Sequence, residues 1–262
     1  MSSILRKDPS RTIKIQKKAV AKVDARFAEF VVDIKASPSF LMDDLFFADV
    51  PEMESIELIL HEMRTKMPIL DTSFIRDAYV RGVQTSIQRL ASSKLIVDPR
   101  TNTFFSASHR ADQSKDLERL NKLKLENRTA YDGIRETMIS ATAAVLVTPG
   151  PLTEKKEEVA DRILKIGATR TRNLVRSMAV KAAHQGQTSE FTFYNVDLVS
   201  IIVEEGKEGV CARCLHLKDK VFSLRDAEQL LPVHIGCRCS MKPEHILDTN
   251  SDIIIDTEFT SQ

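Results

Sequence analysis

The sequence predicts a mainly α protein with a small α+β C-terminal module stapled by structural zinc, and three features predict it. Aromatics are scarce, 6% with no Trp, while hydrophobic residues reach 42%, a balance that suits amphipathic helices better than a large β-sandwich. Apolar residues recur at helical spacing through most of the chain as far as His184. All four cysteines then fall in one C-terminal stretch, Cys211-Ala-Arg-Cys214 followed by His234-Ile-Gly-Cys237-Arg-Cys239.

The elements follow in order. Asp8-Pro9-Ser10 is a helix entry, and Ile13, Ile15, Val20, Val23, Phe27, Phe30, Val31 and Ile34 mark one helix as far as Ser37-Pro38-Ser39. An irregular stretch with Asp43, Asp44 and Pro51 precedes a helix from about Met53 to Met67, stopped by Pro68. Asp71-Thr72-Ser73 offers cap oxygens to a third helix, whose apolar stripe runs Phe74, Ile75, Ala78, Tyr79, Val83, Ile87, Leu90. Residues 93–111 read as a hairpin or long loop around Phe104-Phe105. Helix resumes near Asp112 as one segment or as two, 112–126 and 127–147, before Thr148-Pro149-Gly150-Pro151. A helix from Thr153 to Ile166 is expected to break at Gly167, and another to run from Ala168 to His184 and stop before Gly186. From Ser189 the β-branched and aromatic texture predicts strands, with short additions at Val221-Phe222 and in the closing Asp252–Phe259 segment.

A formal charge of +1 gives no global attraction for nucleic acid, so any such binding must be local. Arg6 to Arg26 holds eight basic residues against Asp8 and Asp24, whereas five acids and no Lys or Arg follow from Glu244 onward. Arg11, Lys14, Lys17, Lys18 and Lys22 are the candidate contacts for DNA phosphates or an acidic protein surface; the plainer reading is a solvated helix face. No apolar run approaches the ~20 residues of a membrane span, and no secretory h-region opens the chain. A protein made in the cytosol, with thiols kept reduced, is the expectation, and it favours metal over disulfide.

Two thiolates three residues apart form one chelating turn, and a His/Cys pair at the same spacing supplies the other half of a tetrahedral site. Five side chains compete for four positions: Cys211, Cys214, His234, Cys237 and Cys239. The second pair can be His234 with Cys237, Cys237 with Cys239, or His234 with Cys239. His216 reads as a surface residue. A catalytic zinc needs an open position and a general base, and no such pattern is legible; Gly236 occupies the place of a deaminase glutamate. Cys211-Ala-Arg-Cys214 lacks the βαβ context of a redox motif, and the acid pairs Asp43-Asp44 and Glu157-Glu158 read as solvated. Walker, G-x-S-x-G and G-x-G-x-x-G patterns are absent, so no enzyme activity is expected.

Those residues carry a resemblance. Cys211-x2-Cys214, Leu217-Lys-Asp-Lys220-Val-Phe222, Pro232-x-His234 and Cys237-Arg238-Cys239 resemble the C-terminal block of the phage Mu F-like minor head proteins. That head-morphogenesis family includes the SPP1-type minor capsid proteins. Upstream, Arg176-Ser-Met-Ala-Val-Lys-Ala-Ala-His-Gln-Gly186 lies where the family carries Arg-Thr-Glu on a helix; Met178 replaces the Glu, and the family's Trp before the first Cys is absent. The resemblance implies a virion protein inside the head near the portal, assembled in the host cytoplasm. It implies a part in head morphogenesis and in DNA packaging or delivery, with the portal protein, the major capsid or scaffold protein, and DNA as partners. Alternatives are a zinc-containing, nuclease-like enzyme and a DNA-binding protein. The organisation expected from the residues themselves is a helical body 1–150, a helical connector 151–186, the zinc-stapled module 187–248 and an acidic tail 249–262. Loss of a thiolate of the Cys211/Cys214 pair is expected to unfold the module and spare the N-terminal helices.

Overall fold

The computed structural model describes residues 10–38, 40, 53–93, 113–203, 211–234 and 237–246. The stretch with Asp43 and Asp44, the loop expected at 93–111, the closing strand and the tail lie outside the described residues, the loop all but its first position. The chain is mainly helical, with a three-stranded antiparallel sheet near its C-terminal end. Helices α1 (Ile13–Lys35), α2 (Met53–Lys66), α3 (Ser73–Ser92) and α4 (Gln113–Leu146) come first. A run of helix follows, made of α5 (Leu152–Arg162), a π-helical turn (Ile163–Ala168) and α6 (Thr169–Phe193). The end of the described chain holds β1 (Val196–Ile202), α7 (Ala212–Leu217), β2 (Val221–Ser223), α8 (Leu224–Leu230) and β3 (Ser240–Ile246).

One open choice is resolved and two sequence expectations are corrected. The open choice at 112–147 resolves as one helix of 34 residues. Gly167 does not break the chain: it sits inside the π turn, where an added Cβ would lie 2.5 Å from Met138 Sδ and Phe27 Cε1. Its role is close packing, and the extra residue of the π turn keeps the helix continuous. Nor does the helix end before Gly186. It runs to Phe193, so the strands expected from Ser189 begin at Val196. Helix propagation outweighs the β propensity of Phe191-Thr192-Phe193 because Phe191 is fully buried on the helix's core face. Asn195, in the left-handed region at φ 54°, follows the helix, and its N–H bonds the Thr192 carbonyl.

The chain forms two compact units from interleaved stretches. One comprises 14–76 and 120–179. Its core includes Phe27, Phe30, Ile34, Ile59, Met63, Met138 and Ile163, and Phe27 meets Phe30 edge to face at 6.5 Å. Each fully buried side chain of this size contributes about 1.5–3 kcal/mol. The buried Lys155 donates to the Leu146 carbonyl at 2.8 Å and to that of Thr148, closing the C-terminal end of α4 with a cation. Lys22 pairs with Asp71 at 2.6 Å, and the Asp71 carboxylate also accepts the Ser73 N–H at the start of α3.

The other unit comprises 1–13, 77–119 and 180–262, so the expected connector 151–186 contributes to both. Here α3 and α6 cross at backbone contact. A Cβ on Gly82 would stand 1.9 Å from the Ala183 carbonyl oxygen, and one on Gly186 would stand 2.2 Å from that of Tyr79. Tyr79 Oη and Ser189 Oγ both donate to Asp116 Oδ1 at 2.5 Å, which ties α3, the start of α4 and α6 together. β1 is the central strand, in the order β2-β1-β3. It pairs Val199 with Phe222 on one side and Ile201 with Met241 on the other. Pro243, which cannot donate to a ladder, is accommodated on β3, an edge strand among the described residues. The shared core runs from Leu90 and Phe191 through Val199 and Ile201 to Cys214, Cys237, Cys239 and Met241.

Gly82→Ala is expected to lose about 1–3 kcal/mol or more in chemical denaturation. Gly133→Ala, on an exposed helix face with nothing within 4 Å, gains about 0.5–1 kcal/mol. Asp71 is a pH probe. Its hydrogen bond to Lys22, then that from Ser73, lowers the carboxyl to about 2. A depressed folded pKa means that its stabilisation is full above the ordinary value of 3.8 and is lost as pH falls toward 2. Because Lys22 is half exposed, Asp71→Asn should cost only about 0.2–1 kcal/mol at pH 7 and a smaller amount at pH 3.

Candidate metal centre

Cys211 stands immediately before α7 in extended backbone, and Cys214 lies one turn in, so the helix start turns both thiols the same way. The second half arrives after α8, across the cis Leu231-Pro232 peptide. The Cys237 N–H donates to the His234 carbonyl at 3.0 Å, which closes a turn carrying both side chains, and Cys239 immediately precedes β3.

All five predicted residues converge and could hold a metal. The donor atoms of Cys211, Cys214 and His234 lie within 4.8 Å of one another, as do those of Cys214, Cys237 and Cys239. Cys214 belongs to both triads, and its Sγ is 3.0 Å from His234 Nε2. Cys214, Cys237 and Cys239 are buried, Cys211 is exposed, and all four are free thiols. His216 is not among them. It faces solvent, 3.1 Å from Lys220 Nζ.

The protons are unevenly held among the thiols. Cys237 is pulled down to about 5, chiefly by the hydrogen bond from the Cys239 thiol. Cys239 is pushed far up by that same bond and by burial, while burial lifts Cys214 to about 12. The backbone N–H of Cys214 lowers Cys211. Binding of a cation would therefore displace protons from Cys214 and Cys239. A sulfur-rich, largely buried donor set suits a thiophilic ion held as a cross-link.

One residue the sequence did not reveal borders this cluster. His184 on α6 is buried, and its Nε2–H donates to the Cys239 carbonyl at 2.7 Å, while Nδ1 has no hydrogen-bond partner among the described residues. Burial lowers its pKa, so the ring is neutral. Fifty-five positions separate it from Cys239, and no local spacing could have linked them.

The basic candidates divide. Lys14, Lys17 and Lys18 are exposed on α1 and make no ion pair among the described residues. Lys22 is held by Asp71, and Arg11 donates to Gln88 Oε1. Of the paired acids, Glu157 accepts from Lys35 and Glu158 pairs with Arg162 at 3.3 Å, both on the surface.

The expectation that metal loss spares the helices needs revision, because Leu90 of α3 and Phe191 of α6 share a core with three of the cysteines. Cys214→Ser, which removes the thiol common to both triads, should abolish stoichiometric metal in elemental analysis. It should also raise amide exchange in the α3 and α6 segments around Leu90 and Phe191, as well as in the sheet. No protein-family model, curated protein or solved structure matches the chain.

Proposed function

We propose that the chain is a minor head protein of a tailed bacteriophage, a non-enzymatic component that acts at the portal vertex in head morphogenesis and in DNA packaging or delivery. The observation that supports this reading best is the convergence around Cys214 of the five residues that carry the resemblance to the Mu F-like family. In this reading they hold one structural zinc. Cys214, Cys237 and Cys239 supply three ligands, and either Cys211 or His234 supplies the fourth. The ion cross-links α7 to the approach to β3, and its binding free energy becomes folding free energy. The portal protein is the principal partner, with major capsid or scaffold protein beside it. The protein resides inside the head near the portal after assembly in the host cytoplasm.

Lys14, Lys17 and Lys18 are the foremost candidates for contact with DNA or an acidic portal surface, since Lys22 is paired with Asp71 and the Arg11 guanidinium is held by the Gln88 amide oxygen. Affinity capture of purified, metal-analysed protein on its cognate portal should give a stable complex containing zinc. Absence of portal binding, in protein that cleaves DNA with a divalent metal and loses that activity in His234→Ala, would replace this reading with the nuclease-like one. Where the protein binds duplex DNA, replacing the three lysines by alanine should flatten the slope of log K against log salt by about 2–3.

A further inference from the structure

We propose that His184, Gln187 and Arg89 are positioning residues of the metal centre: from α6 and α3 they hold the Cys239–Met241 backbone so that Cys237 and Cys239 face Cys214. The inference rests on the metal reading above and adds the device that shapes half of the site. The Cys239 carbonyl accepts the His184 Nε2–H at 2.7 Å. Ser240 Oγ accepts from Arg89 Nη1 at 2.6 Å and from Gln187 Nε2 at 2.7 Å. The Met241 N–H donates to Gln187 Oε1 at 3.4 Å, and the Met241 carbonyl accepts from Arg89.

Three consecutive residues, beginning with a ligand, are thus bonded by side chains of two helices. Arg89, His184, Gln187 and Ser240 are all buried, so water does not substitute for these partners. His184 and Gln187 are three residues apart and therefore share one face of α6, the spacing that lets both reach one extended segment. Arg89 can meet the same segment because α3 and α6 approach to backbone contact at Gly82 and Gly186. His184 does not belong to either triad of metal-type donors, which gives it an orienting and not a ligating place. Outer partners of this kind set ligand direction and tune the affinity of the ion.

The test is a competitive chelator titration of zinc on the full chain, with cobalt(II) absorption as the second readout. His184→Leu keeps the volume and removes the donor; it should weaken zinc about 10- to 100-fold and shift the cobalt ligand-field bands. His184→Gln, which can return an N–H to the Cys239 carbonyl, should recover most of the affinity and the original bands. Wild-type affinity and spectrum in a folded His184→Leu protein would overturn the proposal. So would a loss that His184→Gln does not restore, because that assigns His184 to packing. If His184→Leu does not fold, Gln187→Met puts the same question with the same two readouts. Failure of the wild-type protein to take up zinc or cobalt would remove the metal reading itself, and this inference with it.

Discussion

The close crossing of α3 and α6 is the constraint on which the rest of the unit carrying the Cys/His cluster depends. Only glycine at 82 and 186 lets one helix's backbone touch the other's carbonyls, since any Cβ would lie within 2.2 Å of an oxygen. That approach places Arg89 beside Gln187 and His184, and together these side chains satisfy backbone groups of Cys239 and Met241. With β3 fixed, β1 acquires its second neighbour and Cys239 is aimed back toward α7.

The candidate metal centre is accordingly less a staple on an autonomous module than the far end of a helical scaffold. Its three buried cysteines are part of the same apolar cluster as Leu90, Phe191 and Met241. A cation there would replace unevenly shared thiol protons by a thiolate set whose buried charge the ion offsets. This arrangement favours a permanent cross-link. A component that must keep its shape while docked against other proteins would gain from such a cross-link, in keeping with the proposed head-assembly role.

Much of this was legible in the sequence, for reasons that differ by element. The Cys-x2-Cys turn and the His/Cys cluster were readable because chelation is a local matter of spacing, and the α1 and α3 helices because their apolar stripes obey a 3.6-residue period. Val221-Phe222 was readable as a strand from residue type. Gly167 and Gly186 misled because a glycine kept for close helix packing looks the same in one dimension as a glycine that ends a helix. Phe191-Thr192-Phe193 misled because burial on the core decided what β propensity could not. His184 stayed silent because its partner is a backbone carbonyl brought near by the fold.

Zinc K-edge X-ray absorption on protein purified without added metal tests the central claim most directly. The account predicts one zinc per chain with a first shell of three or four sulfurs at about 2.3 Å and at most one imidazole nitrogen. A metal-free protein, or a shell dominated by oxygen or nitrogen, would contradict it.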